Sequence, residues 1–168
     1  MNTKTKKIVL TALFAALAFV ATYIVRIPIP ATGGYVNLGD CIVLLGGFML
    51  GPVYGAIAGG IGSALCDLLA GYMTYVPITL VIKALMALAA GFFYKSAAKK
   101  NTVTVLIASV IGEVIMVGGY FLAEALILGL GLGAAAGILG NVFQGVMGII
   151  AAMILFPILK KIMKGSSL

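Results

Sequence analysis

Asp40, Asp67, Glu113 and Glu124 are the only acidic residues of the chain, and each lies in or at the edge of an apolar stretch. Ten of the eleven Lys and Arg residues sit at the ends of such stretches; Lys83 alone falls inside one. Charged groups in hydrocarbon are costly and rare, so they mark binding sites or substrate paths. Asn37, Asn141 and Gln144 add amide donors and acceptors, and Tyr72 and Tyr75 offer flat ring faces with hydroxyl tips. These types support two chemistries. One is directed hydrogen bonding to a small molecule in an apolar cavity; the other is hydrolysis by two aspartates sharing a proton. The chain has no histidine, and Cys41 and Cys66 lie in apolar surroundings with no second pair, so neither a metal site nor a Ser-His-type nucleophile is expected.

The elements that must carry these groups are membrane spans. Hydrophobic residues make up 63% of the chain and charged ones 9%, with a mean hydropathy of +1.25, well beyond a soluble domain. A chain of 168 residues supplies about six spans of roughly 20 residues and little else, so one all-α membrane domain over residues 1–168 is expected. The helices are placed at residues 8–25, 40–50, 53–69, 77–94, 102–128 and 134–162. Pro28, Pro30, Gly33 and Gly34 make a loop after the first, Gly51-Pro52 breaks the second from the third, and residues 71–76, 95–101 and 129–133 close the others, with a bend expected at Pro157. The first run follows Lys4, Lys6 and Lys7 like a secretory signal but has no convincing cleavage site, and is read as a retained helix.

Lys4, Lys6, Lys7, Lys95, Lys99, Lys100, Lys160, Lys161 and Lys164 fall on one side of this arrangement and Arg26 on the other, which places both termini in the cytoplasm. The net charge of +7 is thereby a matter of topology, and no nucleic-acid partner is expected. A multi-pass protein of the bacterial plasma membrane is.

At about 1.5 Å per helical residue, Asp40 and Asp67 fall close to the outer surface, Lys83 and Asn141 somewhat below it, Gln144 one turn beyond Asn141 and Glu113 near the midplane. This polar set, open to the outside and closed below by apolar residues, suits a substrate-capturing pocket, with residues 71–75 as a lid. Competing roles stay open for each. Asp40 is equally suited to a helix N-terminus, whereas Asp67, near a C-terminus, has the wrong sign for one. Lys83 pairs with Asp67 or Glu113, or meets a ligand. Asn141 and Gln144 serve as interhelical bonds, Tyr72 and Tyr75 as interfacial belt residues, and Glu124 as a solvated helix end.

Gly51, Gly55, Gly59 and Ser63, like Gly133 and Gly137, recur at four-residue spacing and suit close helix packing. The cluster at residues 59–63 lacks the lysine of a phosphate loop and sits inside a span, so no ATP site is expected.

Six segments carry a resemblance: GYVNLGD at 34–40, LGPVYG at 50–55, ALCDLLAGY at 64–72, PITLVIK at 77–83, GE at 112–113 with GYF at 119–121, and GNVFQG at 140–145. With these the chain resembles the S components, the membrane substrate-binding subunits, of energy-coupling-factor (ECF) vitamin transporters. The resemblance implies six helices, cytoplasmic termini and an outer-side pocket lidded by the loops after the first and third helices. It implies that Ala12 and Ala16, in an AxxxA pattern, dock on a transmembrane coupling subunit (T component). Two partner ATPases would carry the ATP and magnesium, and this chain no cofactor. The implied mechanism is capture from outside, docking, and toppling of the whole subunit. The segments at 34–40 and 141–145 look most like members proposed for vitamin B6 (pyridoxine or pyridoxamine) or for hydroxymethylpyrimidine, the thiamine precursor; riboflavin needs a larger cavity. Asp67, Glu113 and Lys83 suit a small ring bearing amine and hydroxyl groups.

Two other classes compete. Asp40 and Asp67 on consecutive helices could form an intramembrane aspartyl protease dyad, although Asn37 stands where the first glycine of a GxGD sequence belongs. An autonomous secondary carrier would call for inverted repeats, and the two halves show no convincing match.

Overall fold

A computed structural model describes residues 2–165, with the side chains of Thr3, Met163 and Lys164 outside the described residues. The helices are α1 (Thr3–Ile24), α2 (Asp40–Leu50), α3 (Pro52–Ala70), α4 (Tyr75–Ser96), α5 (Thr102–Leu122) and α6 (Ala135–Gly165). Asn2 and Asn101 cap α1 and α5 with their side-chain oxygens, and Pro52 opens α3, where its missing amide costs nothing. α5 runs on into a π-helical turn, Ala123–Ile127, and a 3-10 turn, Gly131–Ala134, leads into α6, which continues through Pro157.

Among the described residues, five helical stretches are long and apolar enough to cross a membrane. α2, with 11 residues, is about 16 Å long, half of a hydrocarbon core. The segment before it is not the plain loop expected from its prolines. It is an antiparallel hairpin of β1 (Arg26–Ile29) and β2 (Gly34–Asn37), with Arg26 opposite Asn37 and a turn closed by Gly33 at φ +72°. Strands of four residues are too short to show a period of two, and Pro28 is tolerated in a two-stranded edge.

The hairpin folds back into the bundle and α2 starts from its end, well below the outer surface. Asp40 therefore lies deeper than its position in the chain suggests: it meets Lys83, Gln144 and Gly148, all well inside α4 and α6.

α2 is enclosed by α1, α3, α4 and α6, and its Val43, Leu44, Leu45 and Phe48 join Phe14, Met86 and Met116 in the core. Ile24, Leu69, Phe92, Val114 and Leu139 are exposed on the outer faces, as lipid contact requires. Glycines set how closely the inner helices approach. A Cβ on Gly55 would stand 2.5 Å from the Gly47 nitrogen, and one on Gly91 2.7 Å from the Gly47 carbonyl, so α2, α3 and α4 touch backbone to backbone. Gly59 packs on Val43 as expected of the stripe. Gly51 instead turns the chain at φ +87°, and Gly133 packs on nothing within 4 Å among the described residues. Gly91→Val is expected to destabilise the protein by about 1–3 kcal/mol through overpacking, read as a lower unfolding temperature in detergent; an unchanged temperature would mean that this contact yields.

Candidate functional site

One cavity gathers polar groups from the hairpin and from α1, α3, α4, α5 and α6. Its volume is about 20 Å³, room for about one water molecule.

On the α3 side stands Asp67, in the last turn of that helix. Gly71, left-handed at φ +85°, ends α3 by returning its N–H to the Asp67 carbonyl, and the Tyr72 N–H bonds the same oxygen at 2.8 Å. The carboxylate is then free to face inward. Tyr35 of β2 donates its hydroxyl to Asp67 Oδ1, while Oδ2 has no hydrogen-bond partner among the described residues. Burial and the Asp67 carboxylate push the Tyr35 phenol far above its ordinary range, so it remains a donor. The Tyr35 ring packs on Tyr72 with centroids 4.6 Å apart, which brings the hairpin and the turn after α3 together over the cavity.

The opposite side is built by Tyr75 and Glu124. Met116, Tyr120 and Glu124 recur every four residues and share one face of α5 and the turn that follows. Glu124 is 3% exposed, not a solvated helix end. Tyr75 shares its single hydroxyl hydrogen between the Thr32 carbonyl (2.9 Å) and Glu124 Oε1 (3.0 Å), and Glu124 Oε2 has no hydrogen-bond partner among the described residues. Tyr120, bonded to Thr79 at 2.9 Å, presents its ring between these walls. Asp67 and Glu124 thus both line this one cavity.

Beneath lies a locked polar layer. Lys83, 1% exposed, ion-pairs with Asp40 and stands 5.5 Å from the centre of the Tyr120 ring. Gln144 donates to Asp40 Oδ2 (2.7 Å) and accepts the Asn37 backbone N–H (2.6 Å), while Asn37 Oδ1 accepts the Gly39 N–H (2.8 Å). A buried pair with its remaining valences met is tolerated inside a bundle.

Of the residues singled out from the sequence, Asn37, Asp67, Tyr75, Lys83, Asn141 and Gln144 line the cavity. Asp40 does not; it anchors the layer below. It is not a cap, since Gly39 holds that position. Lys83 pairs with Asp40 rather than with Asp67 or Glu113. Tyr72 lies outside the cavity, behind Tyr35, and Tyr75 is a buried residue of the first turn of α4 rather than part of an exposed lid. Glu113 faces away. Its carboxylate lies against Gly145 and Gly148, and the residue borders a crevice between α5 and α6 rather than the cavity. Asp40 and Asp67 have separate partners and form no dyad. Tyr35, Thr79 and Tyr120 were not picked out as site residues, and Glu124, marked by its charge, was left as a solvated helix end; the four-residue spacing of Tyr120 and Glu124 was the available signal. Ala12 and Ala16 are exposed in an apolar groove of about 680 Å³ between α1 and α3, with Tyr54, Ile57, Ile61 and Leu65 opposite.

Residues 2–161 match the family described as ECF-type riboflavin transporter, S component. The chain is 42% identical to an uncharacterised protein of Pyrococcus woesei over 142 residues, 84% of this chain and 93% of that one. It is 32% identical to the thiamine precursor transporter HmpT of Lactococcus lactis over 95% of this chain and 91% of that one. A solved structure of the S component of a bacterial ECF transporter superposes with a TM-score of 0.71 at 23% identity, covering 96% of this chain and 99% of that chain. Six helices around a buried polar cavity, membrane-spanning lengths and a match over nearly the whole chain agree: the chain belongs to the ECF-type S components, multi-pass membrane subunits that bind a small molecule for transport and are not enzymes.

Proposed function

We propose that this chain captures hydroxymethylpyrimidine, the thiamine precursor, from outside the cell and delivers it by toppling in the membrane while partner ATPases hydrolyse ATP. The observation that carries the reading is a small cavity in which Tyr35, Tyr75 and Tyr120 supply ring faces and two buried carboxylates each keep an oxygen for a ligand donor. The Lactococcus relative named a thiamine precursor transporter supports the pyrimidine over vitamin B6. At about 20 Å³ the closed cavity holds no ring of any size. Entry of even one ring requires the Tyr35 hairpin and the Tyr72 turn to separate, and both lie at the surface end of the bundle.

The test is mass spectrometry of small molecules released from the detergent-purified protein, followed by calorimetric titration of what appears. Hydroxymethylpyrimidine is the expected cargo. Riboflavin or a B6 vitamer would replace it, and a protein that binds none of them would overturn the reading.

The α1–α3 groove suits the T component, because small residues at four-residue spacing let a partner helix approach closely. Ala12→Leu combined with Ala16→Leu is expected to leave ligand affinity unchanged and to lower uptake by about tenfold or more in cells supplying the partner subunits. Unchanged uptake would remove this face from the docking surface.

A further inference from the structure

We propose that Glu124 is the specificity-determining residue of the cavity and selects ligands that carry an exocyclic amine on a small heteroaromatic ring. This rests on the capture function above and names the chemical feature that the site reads.

Three observations converge on Glu124. It is 3% exposed and lines the cavity, so its charge is directed inward. Its Oε2 has no hydrogen-bond partner among the described residues, a state that costs a buried carboxylate heavily unless a ligand donor completes it. Gly137 of α6 lets the carboxylate sit close against that helix, since a Cβ there would stand 3.0 Å from Oε2. The surrounding π-helical turn, Ala123–Ile127, is of a kind found often at functional sites.

Asp67 also has an unpartnered oxygen, and the difference between the two acids decides which reads the amine. Asp67 receives the Tyr35 phenol hydrogen, whose second acceptor is the weakly accepting Cys66 Sγ at 3.7 Å. Glu124 receives a share of the Tyr75 hydrogen, whose other part goes to the Thr32 carbonyl, and has the Thr32 side chain beside it. Among the described residues neither acid is in an ion pair, since the lysine of the cavity is held by Asp40. Of the two acids that line the cavity, Glu124 is the one whose phenol donor is divided with a backbone carbonyl, which leaves it the more open acceptor for the N–H groups of a ring amine. Asp67 takes a second donor such as a hydroxyl. Two inward carboxylates facing one committed lysine also disfavour phosphorylated or carboxylated ligands.

The experiment titrates the purified full chain with 4-amino-5-hydroxymethyl-2-methylpyrimidine and with the same ring bearing hydrogen in place of the amine. A preference of about a hundredfold or more for the amine is expected in the unmodified protein, because a site built around a hydrogen bond rejects the analogue that lacks it. Glu124→Gln is expected to cut affinity for the aminopyrimidine about thirtyfold while changing the other ligand less than about threefold. Equal affinities in the unmodified protein, or equal losses for both ligands in the variant, would overturn the assignment. The ligand pair in the unmodified protein needs no variant to fold. If neither pyrimidine binds, the pyrimidine reading fails by itself, and pyridoxamine against pyridoxine, which differ by amine for hydroxyl, decides the amine rule. Preference for pyridoxamine sustains the rule; no preference, or no binding, overturns it.

Discussion

Lys83→Met is expected to destabilise the protein by about 3–5 kcal/mol, because breaking a buried ion pair leaves the other charge uncompensated. Lys83 is 1% exposed and its ammonium ion-pairs with Asp40, which is itself fully buried. Removing the cation leaves the Asp40 carboxylate with the neutral Gln144 amide on Oδ2 and no counter-ion among the described residues. Asp40 begins the central helix, and Gln144 ties it to the end of the hairpin, so the loss reaches the core and the cavity floor together. The double variant Lys83→Met with Asp40→Asn keeps an acceptor for Gln144 and removes the orphaned charge, and is expected to recover most of the loss. Thermal unfolding in detergent measures both. If the single variant melts with the parent protein, the two charges do not depend on one another.

Asp67→Ala is expected to lower affinity for the captured ligand by about a hundredfold or more while leaving the fold intact, since truncating one partner of a buried, charge-assisted hydrogen bond costs about 2–5 kcal/mol. The fold survives because the Asp67 carboxylate is bonded by side chains of the cavity wall, Tyr35 among them, while the end of α3 is held by its backbone carbonyl, which alanine keeps. Tyr35→Phe separates the two contributions. It removes the hydroxyl but not the carboxylate, and should cost less than the loss of Asp67, about 0.5–1.5 kcal/mol for a neutral donor. Calorimetric titration with the ligand identified by mass spectrometry gives both values. An Asp67→Ala protein that binds like its parent would take α3 out of the site.

Much of this architecture was legible residue by residue. Gly51-Pro52, Pro77 and the lysine clusters punctuate the apolar runs closely enough to place all six helices, with α4 starting two residues earlier than Pro77 suggested. The buried acids announced a polar site because hydrocarbon gives a carboxylate no solvent. The hairpin was hidden by its prolines and short strands. Its absence from the reading misplaced Asp40, since depth along a span is countable only when the chain runs straight through the membrane.

Composition and charge distribution by themselves determined a multi-pass helical protein with inward carboxylates, because those properties follow from the solvent that each residue type must meet. Only the tertiary structure decided who pairs with whom. The sequence offered Lys83 the acids Asp67 and Glu113, and the fold pairs it with Asp40 instead; Glu113 turned away from the cavity, and Glu124, at a helix end, turned into it. A partner choice among buried charges depends on the rotation and depth of packed helices, quantities set by glycine contacts between α2, α3 and α4 rather than by any local run of sequence.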